Sequence, residues 1–411
     1  QGLIGIDPVA NVAYVPIYPL DAAGNAQLAV VDLTVGAAQP VLKEISLTPP
    51  ARSPQVLQAS ALAYNSNNKT ILAEGRASDA TVRVFEIDTS TQAVKDSIVA
   101  TGLTLASLPP LGGGIIEDTI PNQAVVAGTG TIGLLDTSKS PPVWNASSVF
   151  SVTPPIGRPV VDSMALNAAT GLLFISTDGS NGITNVTKFP QALQSFQGTS
   201  TTTDGVAFDF ATNIMLQTPE FLDQAFAWNF ATLNTGVTPA TANNVTIPGL
   251  GASGTDGEGP GGQAVINCSN HRGLVADEFG DNFRLIHLPL TPVSGTLNNN
   301  GQPGSGTTAD AASAFTIAAA IIPKGNVNGT PTQLGIVGDP NSLTIDPAHN
   351  FGYMLADTET FFHNLAGGTT LPLFLIRDDL SKPVFGGSPT GGPNGKTFWT
   401  PVGQAIPMPM K

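Results

Sequence analysis

Apolar residues along the chain come in short alternating runs, and a turn-forming polar residue closes each run. This is the period-two signature of half-buried strands. Aligned on the closing Asp or Asn, taken as position zero, the runs fall into seven copies: GLIGID at Asp7, SALAYN at Asn65, GGIIED at Asp118, DSMALN at Asn167, DGVAFD at Asp209, GQAVIN at Asn267 and NSLTID at Asp346. Four residues on stand Asn11, Lys69, Asn122, Gly171, Asn213, His271 and Asn350, mostly residue types that accept the left-handed backbone of a tight turn. Seven residues after position zero a large apolar side chain recurs: Tyr14, Leu72, Val125, Phe174, Leu216, Leu274 and Tyr353. Each copy therefore predicts strand, turn, strand. A third strand follows in LAVVDL, VRVFEID, TIGLLD, FRLIHL and LPLFLIRD, and fourth strands are expected in VLKEISL, VKDSIVA, SSVFSV and FTIAAAII.

Successive zero positions lie 58, 53, 49, 42, 58 and 79 residues apart. Four short strands need about 40–50 residues, the period of a propeller blade, whereas a β-solenoid would need shorter and more uniform repeats. The pattern thus predicts an all-β chain: a seven-bladed β-propeller of four-stranded antiparallel blades, one domain over residues 1–411, with blades starting near residues 2, 60, 113, 162, 204, 262 and 341. The first copy begins at the N-terminus. The outer strand of the last blade is therefore expected from the C-terminal region, around Thr397 to Val402, with closure by blade packing rather than by a shared sheet. The segments 289–312 and 322–341, rich in Gly, Asn and Thr, read as surface excursions.

The segments GIDPVANVAYVP, ALAYNSNNKTILAEG and LTIDPAHNFGYMLAD, followed by VVDL or FEIDTST, resemble the repeats of the YVTN and lactonase-like propeller superfamily. That pattern runs apolar strand, Asp-Pro-x-Gly/Asn, Tyr-Val strand, and a further strand ending Ile-Asp-Thr; copies three to six depart from it. The resemblance implies a seven-bladed ring, often secreted or periplasmic, in a group that includes binding proteins, lactonases and lyases.

Composition narrows the partners. Lys and Arg number 16 against 30 Asp and Glu, a net charge of −14, and charged residues make up 11 % of the chain where roughly 25 % is usual. With no basic run to neutralise phosphates, nucleic acid is excluded as a partner. No stretch reaches the ~18 consecutive apolar residues of a membrane span. Cys268 is the only cysteine, so neither an intrachain disulfide nor a cysteine-based zinc site can form. The chain begins at Gln1, as expected of a mature chain whose secretory signal has been removed, and its charge-poor surface fits the periplasm or the medium. Six N-x-Ser/Thr sequons, at Asn68, Asn145, Asn185, Asn244, Asn267 and Asn328, are no more than a chain so rich in these residues makes by chance.

Strand order assigns the faces. Inner-strand starts and second-strand ends share one face, the strand-start face, and the position-zero turns lie on the other. Five residues before position zero, Asp162, Asp204 and Asn341 bring two carboxylates and an amide to the channel mouth. They are the candidate ligands of a Ca²⁺ or Mg²⁺ ion that would polarise a lactone or ester carbonyl. Lactonases and lyases of similar propellers hold a metal at this face. Eleven residues after position zero, Asp178, Glu220, Glu278 and Asp357 recur in blades four to seven, with Asp277 beside them and Glu74 near the corresponding loop of blade two. Arg52 and Arg158, in the linkers ahead of blades two and four, complete the candidate binding face. On the turn face, His271 and His349 are close enough in register to share a metal, though solvated turn residues are the simpler reading. No Gly-x-Ser-x-Gly elbow or phosphate loop occurs. Three functions fit: a secreted or periplasmic binding or scaffold protein for a small molecule, glycan or protein; a divalent-metal lactonase or lyase; or a self-assembling subunit of an extracellular structure.

Overall fold

The computed structural model describes residues 3–17, 20–34, 40–105, 114–152, 161–177, 180–186, 194–196, 203–209, 214–219, 224–229, 244–248, 263–277, 282–288, 316–321, 324–327, 330–333, 335–336, 343–357, 374–380 and 404–407. Among them every regular element is a strand, apart from a helical turn at Val186. They form seven antiparallel sheets of four or five strands and one two-stranded ribbon. In six of the sheets the four strands lie in chain order, so each is a meander of local hairpins. The inner strands are Gly5–Asp7, Val56–Asn65, Gly114–Asp118, Val161–Asn167, Thr203–Asp209, Ala264–Asn267 and Leu343–Asp346.

One turn is repeated seven times. Position zero pairs with the residue five further on in every sheet: Asp7 with Val12, Asn65 with Thr70, Asp118 with Gln123, Asn167 with Leu172, Asp209 with Ile214, Asn267 with Arg272, and Asp346 with Phe351. All seven position-zero side chains are buried. In five of them, Asp7, Asn65, Asn167, Asn267 and Asp346, the side-chain oxygen accepts the turn's own amides: Asp7 Oδ1 takes Val9 and Ala10 N–H at 2.9 and 3.0 Å, Asn65 Oδ1 takes Asn67 and Asn68 at 3.0 Å each, and Asp346 Oδ1 takes Ala348 at 2.9 Å. A buried donor left unpaired costs about 1–3 kcal/mol, which is why the column admits only Asp and Asn.

Four residues on, the backbone is left-handed at Asn11, Lys69, Asn122, Gly171, His271 and Asn350, with φ between 54° and 71°; Asn213 lies outside the described residues. That conformation lets the carbonyl reach the amide that follows the third strand: Leu33 to Asn11 at 2.9 Å, Thr137 to Asn122 at 3.0 Å, Leu288 to His271 at 2.8 Å and Leu380 to Asn350 at 3.0 Å. One residue thus fastens three strands.

The apolar residues seven after position zero are all buried. They belong to seven core clusters, each joining two neighbouring sheets. Tyr14, Leu62 and Phe85 tie the first sheet to the second, and Phe174, Phe208 and Phe226 tie the fourth to the fifth, where the Phe174 and Phe208 rings stack at 5.2 Å. The cluster that closes the ring joins Leu3, Ala13 and Val31 of the first sheet to Tyr353, Leu355 and Leu375 of the last. Fully burying a large apolar side chain is worth about 1.5–3 kcal/mol, so these clusters outweigh the polar links between sheets. The fold is a β-propeller.

Some expectations shift. The outer strand of the last sheet is Gln404–Pro407, pairing with Phe374–Arg377, while 397–402 lies outside the described residues. The excursion at 322–341 contains the ribbon Lys324–Val327 with Thr330–Gln333, and Gly335–Ile336 joins the last sheet. The fourth and fifth sheets have third strands at Ser180–Asn185 and Gln224–Asn229, beyond the five third strands expected from the sequence.

Candidate functional site

At the strand-start end the ladder breaks in the same way in three sheets. Pairing shifts between Ala59 and Ala61, Val161 and Ser163, and Thr203 and Gly205, which leaves Ser60, Asp162 and Asp204 as the extra residues of equivalent β-bulges. All three stand five residues before position zero. A bulge re-aims a side chain that regular pleating would fix, and bulges concentrate beside functional sites.

Asp162 is buried. Asp204 lies in its strand with its side chain outside the described set, as are those of Asp277 and Asp357. Asn341, Asp178, Glu220, Glu278 and Arg158 fall outside the described residues altogether. Arg52 occupies an exposed turn with φ 70°. Among the described residues, no group of three or more His, Cys, Asp and Glu is placed to hold a metal ion.

Glu74, expected near a loop, lies inside the strand Thr70–Ala77 with 0 % exposure. Ser60 Oγ donates to its Oε2 at 3.0 Å and the Gly114 amide also donates to the carboxyl, while Oε1 has no partner. Burial pushes its pKa up to about 8 against the opposing pull of these two donors. At neutral pH Glu74 therefore carries a proton. Glu117, partly buried in the third sheet, is also raised to about 8, by burial and less by the adjacent Asp118, although Thr137 Oγ1 donates to it at 3.1 Å. Both are exceptions within their columns. The copies equivalent to Glu74 are Pro16, Ala127, Ser176, Thr218, Ala276 and Leu355, and those equivalent to Glu117 are Ile6, Tyr64, Leu166, Phe208, Ile266 and Ile345. A charge in an otherwise uncharged column is the signal that finds them.

On the turn face, polar contacts stitch neighbouring sheets. Asn67 and Asn68 Nδ2 donate to the Thr119 and Thr137 carbonyls at 2.7 and 2.6 Å, and Asn270 Nδ2 donates to Asn350 Oδ1 at 2.5 Å. His271 Nδ1 lies 2.6 Å from Asp209 Oδ2 across a sheet boundary, and His349 Nδ1 lies 2.7 Å from Asp346 Oδ2 in its own turn. Each of these rings is thus tied to a position-zero carboxylate. Arg377 closes the ring by donating to the Leu33 carbonyl, with its guanidinium 5.1 Å from the centre of the Phe351 ring.

Inside the ring lies a cavity of about 610 Å³. Its described walls are Ile116, Met164–Leu166, Val206–Phe208, Gln263–Ile266, Thr344 and Ile345 of five inner strands, with Cys268, Ser269 and Pro347 of the turns. No described lining residue comes from the first two sheets or carries a formal charge. Ser269 and Pro347 are exposed, so the cavity reaches solvent at the turn face, opposite the predicted binding face. It was missed because its walls read as ordinary core.

No family model matches the chain, and no curated protein matches it in sequence. Among solved structures, a chain described as "Crystal Structure of Mitotic Checkpoint Complex" aligns with a TM-score of 0.52 at 11 % identity, covering 86 % of this chain and 83 % of that one. The matched chain is a β-propeller, and a likeness at this identity speaks to fold alone.

Proposed function

We propose that residues 1–411 form one binding propeller, exported from the cytoplasm, that takes a small-molecule ligand into its central channel through the turn face. The carrying observation is the cavity of about 610 Å³, within the range of pockets that enclose a drug-sized ligand and walled by rigid inner strands. In this reading the ligand enters at Ser269 and Pro347, among the turns rather than at the strand-start face. Thermal-shift screening of small molecules against the native chain and a channel-filled Thr344→Trp variant tests the reading. Ligands are expected to raise the melting temperature of the native chain only. Equal shifts in both would place binding outside the channel.

The repeated bulge favours a second reading. It puts Asp162 and Asp204 at equivalent backbone positions, so with Asn341 they would hold a Ca²⁺ or Mg²⁺ ion, which would supply Lewis-acid polarisation of an ester or lactone carbonyl as in the lactonase-like propellers this sequence resembles. Bound calcium measured after dialysis should fall on Asp162→Asn with Asp204→Asn. An unchanged content would end this reading.

A further inference from the structure

We infer that the channel prefers uncharged, hydrocarbon-rich ligands to anions of the same size, an inference that rests on the channel reading above. Three polar side chains on the wall are already engaged, while Thr344 and the open edges of the inner strands keep hydrogen-bonding groups toward the space. Gln263 Oε1 accepts the Leu343 amide at 3.1 Å, Ser269 Oγ donates to Asn267 Oδ1 at 2.6 Å, and the Cys268 thiol donates to the Phe208 carbonyl at 3.6 Å. Most of what faces the space is aliphatic, aromatic and thioether surface, including Met164, Phe208, Val265 and Ile345, and none of the described wall is charged.

A ligand hydroxyl that finds no partner on this mostly apolar wall gives up water at about 1–3 kcal/mol per group, so hydrocarbon surface is favoured over hydroxyl-rich surface. A formal charge is disfavoured further. No described wall residue carries an opposite charge, and the chain's net charge of −14 adds long-range repulsion of anions. A folded partner is too large for about 610 Å³, which leaves a small apolar molecule as the occupant.

Cys268, the single cysteine, lies on the cavity wall and serves as a built-in reporter. The matched probes are N-phenyl-1-naphthylamine and 8-anilino-1-naphthalenesulfonate, which share one skeleton and differ by a sulfonate. The neutral probe should bind with saturable fluorescence enhancement and slow N-ethylmaleimide labelling of Cys268 at least ten-fold. The sulfonate should bind at least ten-fold more weakly and leave labelling unchanged. If both probes protect Cys268 equally, the selectivity is overturned while the channel site survives. If the neutral probe binds without protecting Cys268, or neither probe binds to the folded chain, the channel reading fails and takes the inference with it. The Thr344→Trp variant should lose both enhancement and protection; should it misfold, the labelling of the native chain still decides.

Discussion

Replacing Glu74 by Gln should stabilise the protein, and increasingly so as the pH rises. The carboxyl is fully buried between the second and third sheets, faces no cation and has an ordinary pKa of 4.5 raised to about 8. Below pH 4.5 it is protonated both folded and unfolded, so it makes no difference to stability. As the pH climbs from 4.5 to 8 the unfolded chain releases the proton and the folded chain retains it, so stability falls throughout that window. At 1.36 kcal/mol per pH unit the loss amounts to about 3 kcal/mol at pH 7 and on the order of 5 kcal/mol above pH 8. Gln keeps the volume and an oxygen that can accept from Ser60 Oγ and the Gly114 amide, but it has no proton to lose. Urea unfolding followed by tryptophan fluorescence at pH 5, 7 and 9 reads the difference directly. The two proteins should be nearly equal at pH 5, and the variant should lead by several kcal/mol at pH 9. A gap that does not change with pH would refute the reasoning, because a packing effect has no titration.

Four further substitutions probe the ring. Arg377→Met removes the donor to the Leu33 carbonyl and the contact with Phe351 at the closing boundary, and should cost about 2–3 kcal/mol in urea unfolding. Lys43→Met, which removes an exposed contact to the Gln92 carbonyl at 2.8 Å, should cost less than about 0.5 kcal/mol and serves as the control. Gly128→Ala would set a methyl 2.6 Å from the Thr104 carbonyl oxygen, a backbone atom that cannot swing aside, so a loss of about 1–3 kcal/mol is expected from the same titration. Tyr14→Phe should be neutral or slightly stabilising in a melting experiment, since the buried hydroxyl has no hydrogen-bond partner and its removal relieves a desolvated group. A loss above about 1 kcal/mol would contradict that.

The turns were legible because each column answers a separate local demand. Position zero needs a side-chain oxygen for its own amides, position four needs a left-handed backbone, and position seven needs bulk between sheets. The third strand at Ser180–Asn185 was not legible, because pairing on both sides holds it although Ile183 is its only large apolar residue, whereas the Ala-Phe-Ala-Trp run of Gln224–Asn229 did carry a strand signal. Equivalent positions for Ser60, Asp162 and Asp204 could be read from spacing, whereas the bulges they occupy depend on a register shift between strands. The cavity lies furthest from the sequence. Met164, Val206 and Ile345 look the same to a hydrophobic pattern whether they meet a neighbour or an opening. That choice is made by how widely the sheets spread around the ring.

A crystal of the native chain pressurised with xenon tests most directly whether that opening is an apolar ligand chamber. Dry cavities lined by aliphatic and aromatic groups take up xenon, while polar ones hold hydrogen-bonded water. Xenon is expected between Met164, Phe208, Val265 and Ile345. No xenon at these side chains, or side chains collapsed into the space, would contradict the account.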